Sequence, residues 1–116
     1  MEPKKVLLVS SEAEVKIIDC LRRDNFVVIK ADDAASALTL AKHVAFDVVV
    51  LISTGDAMTR TEAALNLRDI RPSSEIILVA RDRAKLSEAE TAAREISHTH
   101  VLSRQELQSF LARTET

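Results

Sequence analysis

The sequence predicts an α/β protein built on one doubly wound, five-stranded parallel sheet in the order 2-1-3-4-5, with helices on both faces. Three observations predict it. Short apolar, β-branched runs alternate five times with longer stretches of helical spacing along the 116 residues. The runs are unbroken rather than alternating, which is the pattern of strands covered on both faces. Helix-start signals stand ahead of most of the helical stretches. A chain of this length fits one domain, 1–116.

The first strand is predicted at Val6–Val9, and the first helix presents Val15, Ile18 and Leu21 on one face. Ser11 and Glu14 have the spacing of a capping box ahead of that helix. The second run, Phe26–Ile29, ends in Lys30 and suits a sheet edge. Its helix presents Ala35, Leu38 and Ala41, with Asp32 or Asp33 as N-cap. The third run is Val48–Ile52, followed by a helix with Ala63, Ala64, Leu67 and Ile70, opened by Thr59 and Glu62. Pro72 stops that helix, because it pushes Arg71 out of the helical region and offers no N–H. The fourth run is Ile76–Val79. Ser87 and Glu90 then open a helix with Ala89, Ala92, Ala93 and Ile96. The fifth is the short Val101-Leu102, an edge, followed by Ser103 and Glu106 and a helix with Leu107, Phe110 and Leu111. Right-handed crossovers place the helices on both faces. The runs at Val6, Val48 and Ile76 are the most apolar and belong at the centre. In such a sheet the ligand site lies at the carboxyl ends of the strands, near the switch between the first and third.

Composition excludes several function classes. Hydrophobic residues make up 47% and charged residues 29%, an ordinary globular balance. A net charge of −2 offers no electrostatic reason for nucleic acid or acidic lipid as partner. Cys20 stands alone, so no internal disulfide forms and a reducing compartment is expected. No apolar run approaches the roughly 18 residues that span a bilayer. The four apolar residues after Lys5 are too few for a signal-peptide core. A cytoplasmic protein, with neither membrane nor nucleic acid as partner, is the expectation. The single glycine, Gly55, rules out glycine-rich phosphate loops, and no Trp or Tyr provides a stacking platform. No cofactor is implied. A small α/β enzyme or nucleotide-binding protein of another family is disfavoured by the glycine-poor loops and the lack of an acid–base cluster at the strand ends.

Three segments carry a resemblance. They are Lys5-Val6-Leu7-Leu8-Val9-Ser10-Ser11-Glu12, Phe46-Asp47-Val48-Val49-Val50-Leu51-Ile52, and Glu75-Ile76-Ile77-Leu78-Val79-Ala80-Arg81-Asp82. In pattern and spacing the whole chain resembles the response-regulator receiver domain of two-component signalling, a flavodoxin-like fold. The resemblance implies an acidic pair after the first strand that holds Mg²⁺ and a phosphoacceptor aspartate ending the third. It further implies a Thr or Ser ending the fourth and a lysine after the fifth. Hard cations take carboxylate oxygens, and metal and lysine neutralise the transferring phosphoryl group. Here those positions fall on Ser10 and Ser11, Ile52, Val79, and Arg104 followed by Gln105 instead of proline. The aromatic switch position falls on Val101. A one-residue slip would bring Ser53 to the acceptor position, still without a carboxylate. An isoleucine cannot form an acyl phosphate. The resemblance therefore implies a degenerate pseudo-receiver: not an enzyme, but a signalling module acting through protein–protein contacts. The alternative is an atypical receiver that is still phosphorylated.

Other residues admit two readings each. Ser10 and Ser11 are read as a strand end and a helix cap rather than as kinase targets. Glu12 is read as a first-turn helix residue and Asp56 as a loop residue, rather than as a rescued metal site. Arg81, Arg83, Lys85 and Arg104 follow the fourth and fifth strands. With the carboxylates gone, Arg81, Arg83 and Arg104 are candidates for binding an anion or an acidic partner, against the plainer reading of solvated charge. His43, His98 and His100 lack metal-ligand spacing, and Cys20 reads as a small buried hydrophobe. Receivers dimerise or dock through the fourth helix, fifth strand and fifth helix, here Lys85 to Ser97, Thr99 to Leu102 and Arg104 to Arg113. The mixed charges on that face suit a homodimer and a solvated surface equally.

Overall fold

The computed structural model describes residues 3–53, 55, 59–79, 98–103, 106, 107 and 109. Its strands are β1 (Lys5–Val9), β2 (Val27–Ala31), β3 (Val48–Leu51), β4 (Glu75–Val79) and β5 (Thr99–Leu102). Its helices are α1 (Val15–Arg23), α2 (Ala34–His43) and α3 (Arg60–Ile70), with residues 106, 107 and 109 helical beyond β5. The strands form one parallel sheet in the order β2-β1-β3-β4-β5, as the sequence predicts. The expected fourth helix, with Ser87, Glu90, Ala89, Ala92, Ala93 and Ile96, lies outside the described residues, as do Phe110 and Leu111.

Alternation along the central strands divides the core between the two faces. Leu7, Val9, Val49, Leu51, Ile76 and Leu78 pack with Ala34, Ala37 and Ala41 of α2 and Ala63, Ala64 and Leu67 of α3. Val6, Leu8, Val48, Val50, Ile77 and Val79 pack with Leu21 of α1, Phe26 and Leu107. Because both sets are apolar, β1, β3 and β4 read as unbroken hydrophobic runs. The edges β2 and β5 keep half-exposed residues such as Val28, Lys30 and His100.

The helix ends follow local chemistry. Thr59 and Glu62 form the complete reciprocal capping box, and Ser103 and Glu106 exchange the same pair of bonds, both at 3.2 Å. Asp33, rather than Asp32, caps α2 by accepting the Ser36 N–H at 2.8 Å. That bond, with a weaker one from the Ser36 hydroxyl, holds the Asp33 carboxyl below the usual carboxylate range. Pro72 acts as predicted: α3 ends at Ile70, and Arg71 leaves the helical region with φ −133° and ψ 79°. Freed from the helix, Arg71 donates its Nε to the Ala41 carbonyl at the end of α2.

Four details differ from the sequence reading. α1 starts at Val15, and Ser11 does not cap it; the N-cap is Glu14, in the left-handed region at φ 51° with no side-chain bond to the helix. Val15 is 62% exposed, so the buried face of α1 rests on Leu21 with Ile17 and Ile18. In α2 the buried stripe is Ala34, Ala37 and Ala41 rather than one beginning at Ala35, which is exposed. Phe26 precedes β2 and closes α1 instead. Asn25, at φ 68°, donates to the Arg22 carbonyl, and the Phe26 N–H reaches back to Leu21. That pair of bonds is a Schellman motif, with Phe26 and Leu21 as its apolar contact.

A hydroxyl-lined cleft as the candidate functional site

The carboxyl ends of β1, β3 and β4 meet in a cleft of about 320 Å³ lined by Ser10, Ser11, Glu12, Glu14, Ile52, Ser53 and Val79. This is the switch point of the sheet, since β1 leads outward to β2 while β3 leads the other way. Four of the five degenerate-site positions named from the sequence, Ser10, Ser11, Ile52 and Val79, therefore converge. The fifth, Arg104, lies outside the described residues, as do Arg81, Arg83, Lys85 and Asp56.

The rim is hydrogen-bonded to itself. Ser10 follows β1, is buried, and gives its N–H to the Ala31 carbonyl at 3.0 Å. Its hydroxyl accepts the Glu12 N–H at 3.1 Å and donates to Glu14 Oε1 at 3.3 Å. Ser11 donates its N–H to Ser53 Oγ at 2.9 Å, and the two hydroxyls lie 3.3 Å apart. Both Ile52 and Ser53 give their N–H groups to the Val9 carbonyl, at 2.9 and 3.2 Å. One carbonyl thus holds two successive residues, which brings Ser53 to the mouth beside Ile52. Arg60, the first residue of α3, donates its Nη1 to the carbonyl of Val79, the last residue of β4. Gly55 has φ +83°, and a Cβ there would lie 3.3 Å from Asp33 Cβ, so Gly55 sits tightly against the start of α2.

Three of these residues have roles that their sequence positions do not reveal. Ser53 arises only as a one-residue slip, and Glu14 reads as half of a capping box. Arg60 is one more charge on a helix until the fold carries it to β4. Glu12 and Glu14 bring carboxylates into the cleft from the loop before α1, not from its first turn. At this end of the sheet the described charges are Glu12, Glu14, Asp32, Asp33 and Glu62 against Lys30 and Arg60, with Lys30 paired to Asp32 at 2.7 Å.

Among the described residues, the donors at the strand ends do not match a Mg²⁺ site of the receiver kind. Mg²⁺ takes octahedral oxygen ligands including carboxylates. Here the strand-end positions supply neutral hydroxyls, and the carboxylates lining the cleft, Glu12 and Glu14, come from the loop before α1. Among the described residues no three His, Cys, Asp or Glu side chains are grouped to hold a metal ion.

The remaining candidates lie elsewhere. His98 Nδ1 and His100 Nε2 meet the two oxygens of Glu75, at 3.2 and 2.8 Å, on the amino-terminal side of β4 and β5. Burial works to raise the Glu75 carboxyl, but the hydrogen bonds from His100 and His98 and the charge of their rings hold it below its usual range. His43 is exposed in the last turn of α2, and Cys20 is half-buried in α1 as a free thiol. Asp47 precedes β3 at the far end from the cleft and accepts the Lys5 N–H at 2.8 Å. No helix among the described residues is long and apolar enough to cross a membrane.

Sheet order, two-sided covering and a cleft at the switch point define a doubly wound α/β module. No protein-family model matches the sequence, and no curated protein matches it. Solved structures match the fold throughout. The chemotaxis protein CheY4 of Vibrio cholerae has a TM-score of 0.79 at 21% identity, over 96% of this chain and 98% of that one. The signal receiver domain of an HD domain-containing protein from Pseudomonas fluorescens has a TM-score of 0.81 at 22% identity, over 97% and 87%. The receiver domain of a sensor histidine kinase from Pseudomonas aeruginosa, with magnesium coordinated in its active-site cleft, has a TM-score of 0.76 at 16% identity, over 97% and 94%. The chain has the fold of CheY-like response-regulator receiver domains.

Proposed function

We propose that the chain is a non-catalytic signalling module of receiver fold that is not phosphorylated on aspartate and acts through protein–protein contacts in the cytoplasm. One observation carries this reading. Ser10, Ser11 and Ile52 stand at the ends of β1 and β3, where phosphoryl transfer on this fold needs carboxylates. Two hydroxyls and a branched alkyl group neither hold a divalent cation nor accept a phosphoryl group as an acyl phosphate. The partner surface includes β5, an edge strand whose His100 and Leu102 are half-buried, and a homodimer through that face is one form of the contact. Fold alone does not assign function, so the reading stands on these site residues.

A second reading is favoured by Glu12 and Glu14, which do place carboxylates in the cleft: an atypical receiver that is still phosphorylated. Amide NMR with Mg²⁺ and then beryllofluoride, with intact-mass measurement after acetyl phosphate, separates the two. Silence at Ser10, Ser11, Ile52 and Val79 and an unchanged mass are expected. Shifts concentrated at those residues, or a gain of one phosphoryl group, would overturn the docking reading in favour of the second.

A further inference from the structure

The cleft rim ties five chain segments together through few atoms. Ser11 binds Ser53 across the mouth, joining the ends of β1 and β3. Ser10 binds Glu14, joining β1 to the start of α1. Arg60 binds the Val79 carbonyl, joining the start of α3 to the end of β4. Arg60 is well placed as a tether, because the capping box of Thr59 and Glu62 fixes the turn from which it projects. A guanidinium is planar and multidentate and gives a charge-assisted bond to a carbonyl that ends its strand beside the cleft. Val79 itself is buried, so its carbonyl cannot swing far without disturbing the core.

From this geometry we infer that Arg60 and Ser53 form a built-in latch that holds the ends of β1, β3 and β4 in one fixed state. This deepens the proposed function, because a module read as unswitched by phosphorylation has its strand ends clamped by its own side chains. Arg60 and Ser53 are positioning residues here. They make no contact with a partner in this account, and they act by removing alternative conformations of the rim.

The test uses the full chain without ligand. Backbone relaxation dispersion and amide hydrogen exchange are recorded for wild type, Arg60→Met, Arg60→Lys and Ser53→Ala. Wild-type amides of Ser10, Ser11, Ser53 and Val79 are expected to show flat dispersion. Arg60→Met is expected to introduce millisecond exchange at Leu78 and Val79 and to speed hydrogen exchange there by about tenfold, the factor set by losing one charge-assisted bond. Arg60→Lys, which keeps the charge and a donor, restores most of the protection. Ser53→Ala produces the same signature at Ser11. Millisecond exchange of the wild-type rim, or variants with unaltered rim amides, overturns the latch. Because no phosphoryl mimic is present, that failure is distinct from a beryllofluoride response, which would sink the docking reading instead.

Discussion

Replacing Ser10 measures how the cleft is built. Ser10 is 1% exposed, and its hydroxyl both accepts from the Glu12 N–H and donates to Glu14. Ser10→Ala removes both bonds. Leaving a buried partner unsatisfied costs about 1–3 kcal/mol. Glu12 is exposed and can turn its N–H to water, so the low half of that range applies, about 1.5 kcal/mol. An unfolding entropy of about 2.1 cal/mol/K per residue gives about 4 °C per kcal/mol for a chain of 116 residues. Ser10→Ala should therefore melt about 6 °C below wild type. Ser10→Asp restores the acid expected of an active receiver, but beside the Glu14 carboxylate. Two charges about 4 Å apart repel by about 4 kcal/mol at an effective dielectric constant of about 20, and solvent at the half-buried Glu14 brings this to about 3 kcal/mol, or about 12 °C. Protonating either carboxyl relieves the repulsion, so the deficit should shrink as pH falls from about 7 toward about 4. Thermal unfolding followed by circular dichroism at several pH values reads both variants. If Ser10→Ala melted with wild type, or Ser10→Asp melted no lower than Ser10→Ala at neutral pH, the hydroxyl would not be bridging Glu12 and Glu14, and this account of the rim would fail.

Other consequences are measured the same way. Leu67 is 1% exposed within the α2–α3 core, so Leu67→Ala should cost about 3 kcal/mol in urea unfolding and Leu67→Met less than about 1.5. A Leu67→Ala loss below about 1 kcal/mol would mean that α3 is not anchored there. Thr59→Ala breaks the capping box and should cost about 1 kcal/mol, with hydrogen exchange fastest in the first turn of α3. Glu75 has a folded carboxyl held below its ordinary value of 4.5. Its contribution is therefore present above the ordinary value and lost as pH falls through the folded one. Glu75→Gln should flatten the acid limb of the stability profile there, and an unchanged limb would count against the His98–Glu75–His100 contact. Gly55→Ala places a side chain at φ +83°, 3.3 Å from Asp33 Cβ, and should lower the melting temperature by several degrees. A neutral Gly55→Ala would show that the loop relaxes freely.

Amide and carboxylate chemistry at close range is what the sequence by itself determined. Apolar runs dictated the strands, because a strand covered on both faces leaves no position for a polar residue. Thr59 with Glu62, Ser103 with Glu106, and Pro72 acted where they stand, since caps and breakers involve neighbours within one turn. The missing carboxylates at Ser10, Ser11 and Ile52 were equally legible, because absence of a functional group is a property of composition at a position. The tertiary structure decided what depended on distance through space. Ser11 and Glu14 have capping-box spacing, yet Ser11 gives its N–H to Ser53 Oγ at the end of β3, and Glu14 makes no cap bond to α1. Ser53 reaches the mouth because one Val9 carbonyl accepts two successive N–H groups. Arg60 meets Val79 only once α3 has packed beside β4. Local pairing competes over a few residues and is written in spacing. Contacts between strand ends depend on how the whole sheet closes, and no short window of sequence contains both partners.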